Sequence, residues 1–243
     1  MVLSGTKSMI IAIIQARMGS SRFPGKMLTP LNGAPLIDWV VKRTKKAEKI
    51  DDLIVAIPDS EPSNELDNHL RDIDAKVIRG PENDVLARFH HAATTFKASH
   101  VIRICGDNPM ICPNAIDELI MFFFKHDPTP DYAYNHVPDG NSWPDGLGAE
   151  ICTIEVLSQI HKEASDPEHR EHIFNYLRNK PDRFRIKTFD PTDTRLSRPE
   201  LKLDIDYPEN LADLSEIPIT PESDTHSLIM HISKLSTKRN TQR

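Results

Sequence analysis

The run MIIAII, Met9 to Ile14, carries no polar side chain. A strand with one face in water alternates apolar and polar residues. A run without alternation needs cover on both faces, so it belongs at the centre of a parallel sheet between two helical layers. The pattern around it agrees. DLIVAIP (52–58), AKVIRG (75–80), HVIRICGDNP (100–109) and DYAYN (131–135) read as further strands, separated by segments with helical spacing. Pro35 opens the first helix, with Leu36, Ile37, Val40, Val41 and Ala47 on one stripe. NELDNHLRD (64–72) is a short helix. Asn83 is expected to cap DVLARFHHAATTFKA, where Val85, Leu86, Phe89, Ala93 and Phe96 share a face, and Pro113 to Phe124 is another helix. From Trp143 to Arg178 the spacing changes to a turn, a short strand and two helices. FRIKTF (184–189) and LKLDIDYPENL (201–211) are then expected to return to the sheet. The alternation gives an α/β chain with a mostly parallel central sheet. We expect a single domain over 1–218, with an inserted subregion at about 143–178. A C-terminal extension, 219–243, should hold one short helix around SLIMHISKL and a frayed, partly flexible end.

Composition narrows the function classes. Thirty basic residues against 36 acidic give a net charge of −6, which argues against a nucleic-acid binder. No apolar run approaches the roughly 20 residues a membrane span needs, and MVLSGTKSM lacks the apolar segment of a secretory signal. Three cysteines, Cys105, Cys112 and Cys152, are an odd number without paired spacing, so reduced thiols in a cytoplasmic protein are expected.

The central strand runs directly into QARMGSSRFPGKML, residues 15–28. This is not the mononucleotide P-loop, which needs four residues between its glycines and a hydroxyl after the lysine. Here five residues separate Gly19 from Gly25, and Met27 follows Lys26. A dinucleotide glycine fingerprint is also missing. The loop is still suited to anions: Gly19, Ser20 and Ser21 let backbone N–H groups approach closely, and Arg17, Arg22 and Lys26 bring three positive charges within ten residues. Unit charges about 4 Å apart attract by roughly 1 kcal/mol in water and about 4 kcal/mol at an effective dielectric near 20. Three cations in a half-closed cleft therefore suit a polyphosphate. Acidic partners stand at two further places. Asp107 follows the fourth strand, at the carboxyl edge where open α/β sheets bind ligands. In LKLDIDYPEN, Leu201, Leu203 and Ile205 alternate with Lys202, Asp204 and Asp206, which puts the two aspartates on the face opposite the apolar one. Asp107 and Asp206 together could hold Mg²⁺, an ion that prefers one or two carboxylates plus substrate phosphates.

Five blocks, IIQARMGSSRFPGKML, RICGDNPMI, WPDGLGAEI, EHREHIFNYL and LDIDYPENL, resemble in order those of the spore coat polysaccharide cytidylyltransferase family, which is similar to the CMP-sialic acid and CMP-KDO synthetases. The resemblance covers Ile10 to Leu214. It implies a three-layer α/β/α sandwich of the GT-A-like nucleotide-diphosphosugar transferase kind. It also implies transfer of CMP from CTP to a sugar, an acidic nonulosonic or octulosonic one, with release of pyrophosphate for surface glycans. Carried over by position, Arg17, Gly19, Ser20, Ser21, Arg22 and Lys26 would bind the triphosphate, and Asp107 and Asp206 would hold Mg²⁺. By the same resemblance, Arg17, Lys26, Asp107 and Asp206 would form the catalytic set. GPENDVLARF matches the region that contacts the base, so Asp84, Val85 and Arg88 are nucleotide-binding candidates. One departure is Asn210, where relatives often carry an acid.

For the acceptor, Asn135, Glu150, Glu171 and His172 are candidate substrate-binding residues, and Arg170 a candidate partner of an acceptor carboxylate. Relatives also suggest a homodimer. Three alternatives stay open: a nucleotidyltransferase using another triphosphate such as GTP on a sugar phosphate, a glycosyltransferase of the same broad fold using Asp204 and Asp206 as its metal pair, and an inactive binding module.

Overall fold

The computed structural model describes residues 8–240. Seven strands form one sheet in the order β5-β4-β1-β6-β8-β7-β9. They are β1 (Ile10–Gln15), β4 (Asp52–Pro58), β5 (Lys76–Gly80), β6 (His100–Cys105), β7 (Tyr132–Tyr134), β8 (Glu150–Thr153) and β9 (Ile186–Thr188). A small hairpin, β2 (Pro30–Leu31) and β3 (Ala34–Pro35), stands apart from it. The pairings of β1 with β4 and β6, of β4 with β5 and of β7 with β9 are parallel, whereas β8 runs antiparallel to both its neighbours.

The unbroken apolar run is explained by two separate cores. Ala12 and Ile14 of β1 belong to one, Ile11 and Ile13 to the other. The first core packs the sheet against α1 (Leu36–Thr44), α2 (Asn64–Asp72), α4 (Pro113–Lys125), α8 (Pro208–Ser215) and α9 (Thr225–Asn240). The second packs the other face against α3 (Val85–Thr95), α5 (Ile154–Glu163) and the short α6 (Pro167–Glu171) and α7 (Asn175–Arg178) region. Helices on both faces of a mostly parallel sheet are the expected sandwich.

The structure differs from the sequence reading at several places. The 143–178 stretch holds three helices, α5, α6 and α7, where two were expected. Residues 201–206 do not join the sheet. They form a single bridge, Asp145 with Lys202, although Leu201, Leu203 and Ile205 are buried as the alternation requires. Partners for these backbone groups come from the cleft instead: Leu203 N–H donates to the Asp145 carbonyl and Ile205 N–H to the Asp107 carbonyl. The N-cap of α3 is Asp84, one residue later than expected, its carboxylate accepting from Ala87 N–H at 2.8 Å. The tail is not a short helix: α9 spans 16 residues, with Leu228, Ile229 and Ile232 in the core. The expected frayed end falls on 241–243, outside the described residues. Cys105, Cys112 and Cys152 are free thiols. Among the described residues no helix is long and apolar enough to cross a membrane.

The C-terminal segment is tied down by Arg43 of α1, which is 1 % exposed. Its guanidinium donates to the carbonyls of Ile111, Pro221 and Ser223 and to the Thr225 hydroxyl. Removing a buried donor leaves those acceptors unmatched, which costs about 1–3 kcal/mol. Arg43→Met is therefore expected to lower stability by about that amount in urea titration and to speed proteolysis near residues 216–224. An unchanged melt with unchanged cleavage would show that the tail is held by its apolar contacts alone.

Candidate active site

The carboxyl ends of β1 and β6 open into a cleft of about 270 Å³ lined by Gln15, Arg17, Ser20, Arg22, Lys26, Arg103, Asp107, Glu171, His172 and Asp206. Strand ends at the point where connections leave β1 toward opposite sides of a sheet are where such folds bind ligands. The loop after β1 is shaped by its own backbone: Ser20 N–H and Gly25 N–H both donate to the Met18 carbonyl, and Gly25 takes a positive φ of 72°. That turn sends Lys26 inward. Gly106 must lack a side chain, because a Cβ there would lie 2.6 Å from the Gln15 carbonyl oxygen.

Lys26 is 7 % exposed and donates to Asp107 at 2.9 Å and to the Ile205 carbonyl at 2.8 Å. Arg22 meets Asp206 at 3.1 Å, and its guanidinium lies over the Tyr207 ring. The loop cations and the cleft acids, 81 and 184 residues apart in sequence, are thus direct partners. Arg17 pairs with Glu171 at 3.1 Å across the rim. Asn210 accepts from the N–H groups of Asp206 and Tyr207 and so fixes the turn that carries Asp206.

A second cavity adjoins the first through Arg103, Cys105, Asp107 and His172 and adds Asn108, His136, Asp145, Glu150, Phe174, Arg178 and Asp204. Its floor is an ion network. Glu150, 2 % exposed, accepts from Arg103 Nη1 and from the Tyr132 hydroxyl, and Arg178 Nη2 stands 3.6 Å away. Burial alone would push the Glu150 carboxyl up, but Arg103, His136 and Arg178 together outweigh it and bring it down to about 2. Burial pulls His136 down to about 4, against the opposing pull of Glu150, so it is neutral at pH 7. Along the opposite wall the acids crowd: burial, then the neighbouring Asp204, pushes Asp145 up to about 6, with Asp107 and Asp206 adding to the shift. Asp204 Oδ1 is buried without a hydrogen-bond partner.

These acids suit a divalent cation. Among the described residues no group of three or more His, Cys, Asp or Glu side chains is arranged to hold a metal. What the cleft does offer is two carboxylates, Asp107 and Asp206, and one or two carboxylates together with phosphate oxygens are a donor set that a hard divalent cation accepts.

Not every candidate from the sequence reaches the cleft. Arg17, Ser20, Arg22, Lys26, Asp107, Asp206, Glu171 and His172 line it, while Gly19 and Ser21 are exposed on the loop outside its wall. Five further candidates, contrary to expectation, line neither cavity. Val85 is 1 % exposed in the helix core. Arg88 is fully buried, donating to the Pro81 carbonyl at 2.6 Å, so it shapes the 81–84 loop from beneath. Asn135 is fully buried, its amide spent on the Ala115 carbonyl and Ala149 N–H. Asp84 is committed to the α3 cap and to Arg170, at 2.6 Å. Arg170 is in turn engaged with Asp84 and the carbonyls of His161 and Ala164. Glu150 does line the second cavity but through bonds to arginines. Sequence reading passed over Gln15, Arg103, Tyr132, His136, Asp145 and Arg178. The one available signal was a charge, Arg103, inside an otherwise apolar strand.

The neutral His136 carries a pH consequence. Its folded pKa lies below its unfolded value, so between about pH 6.5 and 4 the unfolded chain binds the extra proton and stability falls as pH falls. One proton corresponds to a slope of about 1.4 kcal/mol per pH unit. His136→Gln is expected to remove up to that slope from denaturation curves in this window, while His90, His100 and His161, also shifted down by burial, keep theirs. Identical pH profiles for the two proteins would show that His136 titrates normally.

The sequence signature of the cytidylyltransferase family matches residues 11–234. The spore coat polysaccharide biosynthesis protein SpsF of Bacillus subtilis is 34 % identical over 206 residues, spanning 83 % of this chain and 82 % of its own. A cytidylyltransferase structure from Leptospira borgpetersenii superposes with a TM-score of 0.84 at 24 % identity, over 95 % of this chain and 96 % of that one. The structure of CMP:2-keto-3-deoxy-manno-octonic acid synthetase complexed with CTP gives 0.64 at 21 % identity, over 86 % and 98 %. The two structural likenesses speak for the fold, whereas the signature and the Bacillus relative speak for descent. With a signature that spans nearly the whole chain and a cleft built from its own first and last motifs, this protein belongs to the cytidylyltransferase family.

Proposed function

We propose that the chain transfers CMP from CTP to a hydroxyl of an acidic sugar, with Mg²⁺ as cofactor and pyrophosphate as the second product. The observation that carries this reading is the pairing of loop cations with acids from distant segments, Lys26 with Asp107 and Arg22 with Asp206, inside one cleft. A cation and an acid that hold one another are each able to change partner when a metal and a polyphosphate arrive. Asp107 and Asp206 would turn to the metal, and Lys26, Arg22 and Arg17 to phosphate oxygens. When bound, a divalent cation would supply positive charge against the triphosphate, with Asp107 and Asp206 as the residues that would hold it.

The chemistry needs little else than position and charge. The sugar hydroxyl oxygen attacks the α-phosphorus, the bond to the bridging oxygen breaks, and negative charge gathers on the departing pyrophosphate. Lys26, already desolvated, needs little reorganisation to meet that charge. The acceptor belongs in the neighbouring cavity. Arg178 is stacked over the Tyr134 ring, its centre 4.6 Å away, and uses Nε and Nη2 for Tyr132. Its Nη1 makes no hydrogen bond to a described residue, which leaves one edge for a carboxylate such as the acid named in the CTP-bound synthetase. This moves the acceptor-acid role from Arg170, which is occupied, to Arg178.

Asp107→Asn keeps a partner for Lys26 and removes the charge. It is expected to lower kcat for CTP-dependent pyrophosphate release by about a hundred- to a thousandfold with the circular dichroism spectrum unchanged. In the wild type, CTP is expected to outperform ATP, GTP and UTP with a panel of acidic sugars. Near-normal turnover by folded Asp107→Asn protein would remove the metal assignment, and preference for GTP would remove the assignment of the base.

A further inference from the structure

Gln15 closes β1 and lies in the wall of the nucleotide cleft. Its side-chain oxygen accepts from both Nε and Nη2 of Arg103, each at 3.3 Å. A guanidinium carries donors and no acceptor, so only the oxygen end of the amide can face it. The amide nitrogen must point away from Arg103. It makes no hydrogen bond to a described residue, and it is not among the buried unpartnered atoms.

Arg103 itself is not free to turn. Its Nη1 is bound to the buried Glu150, which also takes the Tyr132 hydroxyl. The line Glu150, Arg103, Gln15 therefore runs from the floor of the second cavity to the wall of the first. At its end two N–H donors are fixed beside Arg17, Ser20, Arg22 and Lys26. No sequence motif gave Gln15 or Arg103 this place.

We propose that Gln15 is a nucleotide-contacting residue whose Nε2 donates to an acceptor atom of the bound nucleotide, a phosphate oxygen or a pyrimidine carbonyl. Arg103 and Glu150 are its positioning residues. The proposal rests on the assignment of this cleft to CTP. Because Arg103 holds the oxygen end, Gln15 offers donors only, and an amino group such as N4 of cytosine finds no acceptor there.

Two variants of the full chain separate contact from scaffolding. Gln15→Glu keeps an oxygen for Arg103, turns the contact into an ion pair, and removes the donor. Gln15→Met removes the donor without adding charge. Calorimetric titration with CTP, UTP and tripolyphosphate in the presence of Mg²⁺ is the measurement, with thermal melts alongside. Both variants are expected to bind CTP about ten- to a hundredfold more weakly, with Gln15→Glu melting at or above the wild type. If the partner is a phosphate oxygen, tripolyphosphate weakens by the same factor in Gln15→Met. If it is a base carbonyl, tripolyphosphate binding stays at the wild-type value while CTP and UTP weaken. Wild-type CTP affinity in either variant would overturn the proposal and confine Gln15 to holding Arg103. A wild-type protein that binds neither CTP nor UTP would fail the cleft assignment itself and take the proposal with it.

Discussion

A carboxylate with 2 % exposure should not be ionised unless several positive groups hold it so, and Glu150 is held by Arg103, Arg178 and the Tyr132 hydroxyl. Breaking such a buried arrangement from one side typically costs about 3–5 kcal/mol, because the charges left behind have no water to turn to. The geometry of both cavities follows from it. The network joins β6, β7, β8 and α7, elements that no local sequence signal brings together. It orients Arg103 toward the first cavity and Arg178 toward the second. The antiparallel β8 is what makes this possible, since it places Glu150 directly opposite Arg103 in the register.

The cleft above this floor is built on mutual neutralisation. The loop cations Arg22 and Lys26 pair with Asp206 and Asp107, acids that would otherwise repel one another across the opening. The loop is thereby held near its working position, and less ordering remains to be done when a substrate binds. A dense set of carboxylates, Asp107, Asp145, Asp204 and Asp206, next to a set of arginines and a lysine is unstable unless the two interleave or a bound cation and polyphosphate come between them. The first is what the structure shows, and the second is what the proposed reaction requires.

Much of this was legible in advance. The unalternating β1 run required two covered faces, and both are present. The loop residues Arg17, Ser20, Arg22 and Lys26 and the distant Asp107 and Asp206 do meet in one cleft. The misreadings share a cause. Val85 and Arg88 were expected at the site because their segment resembles a base-contacting region, and Asn135 because its loop was expected to wall the cleft, yet segment position does not say which way a side chain turns. Asn135 is needed to satisfy Ala115 and Ala149 in the interior, and Arg88 to hold the Pro81 carbonyl. Residues 201–206 read as a strand because period two describes burial on one face, and burial does not require pairing in the sheet. Asn83 and Asp84 are both good caps, and the ion pair with Arg170, 86 residues away, favours the second.

The sequence by itself determined the architecture and the chemistry of the opening loop, because strand burial, helix faces and clustered charge are local properties written in spacing and side-chain type. Only the tertiary structure decided which polar groups face ligand and which are consumed inside. That choice depends on partners such as Gln15 and Arg103, or Lys26 and Asp107, that lie 88 and 81 residues apart, and the orientation of an amide or a guanidinium is set by whichever partner folding delivers.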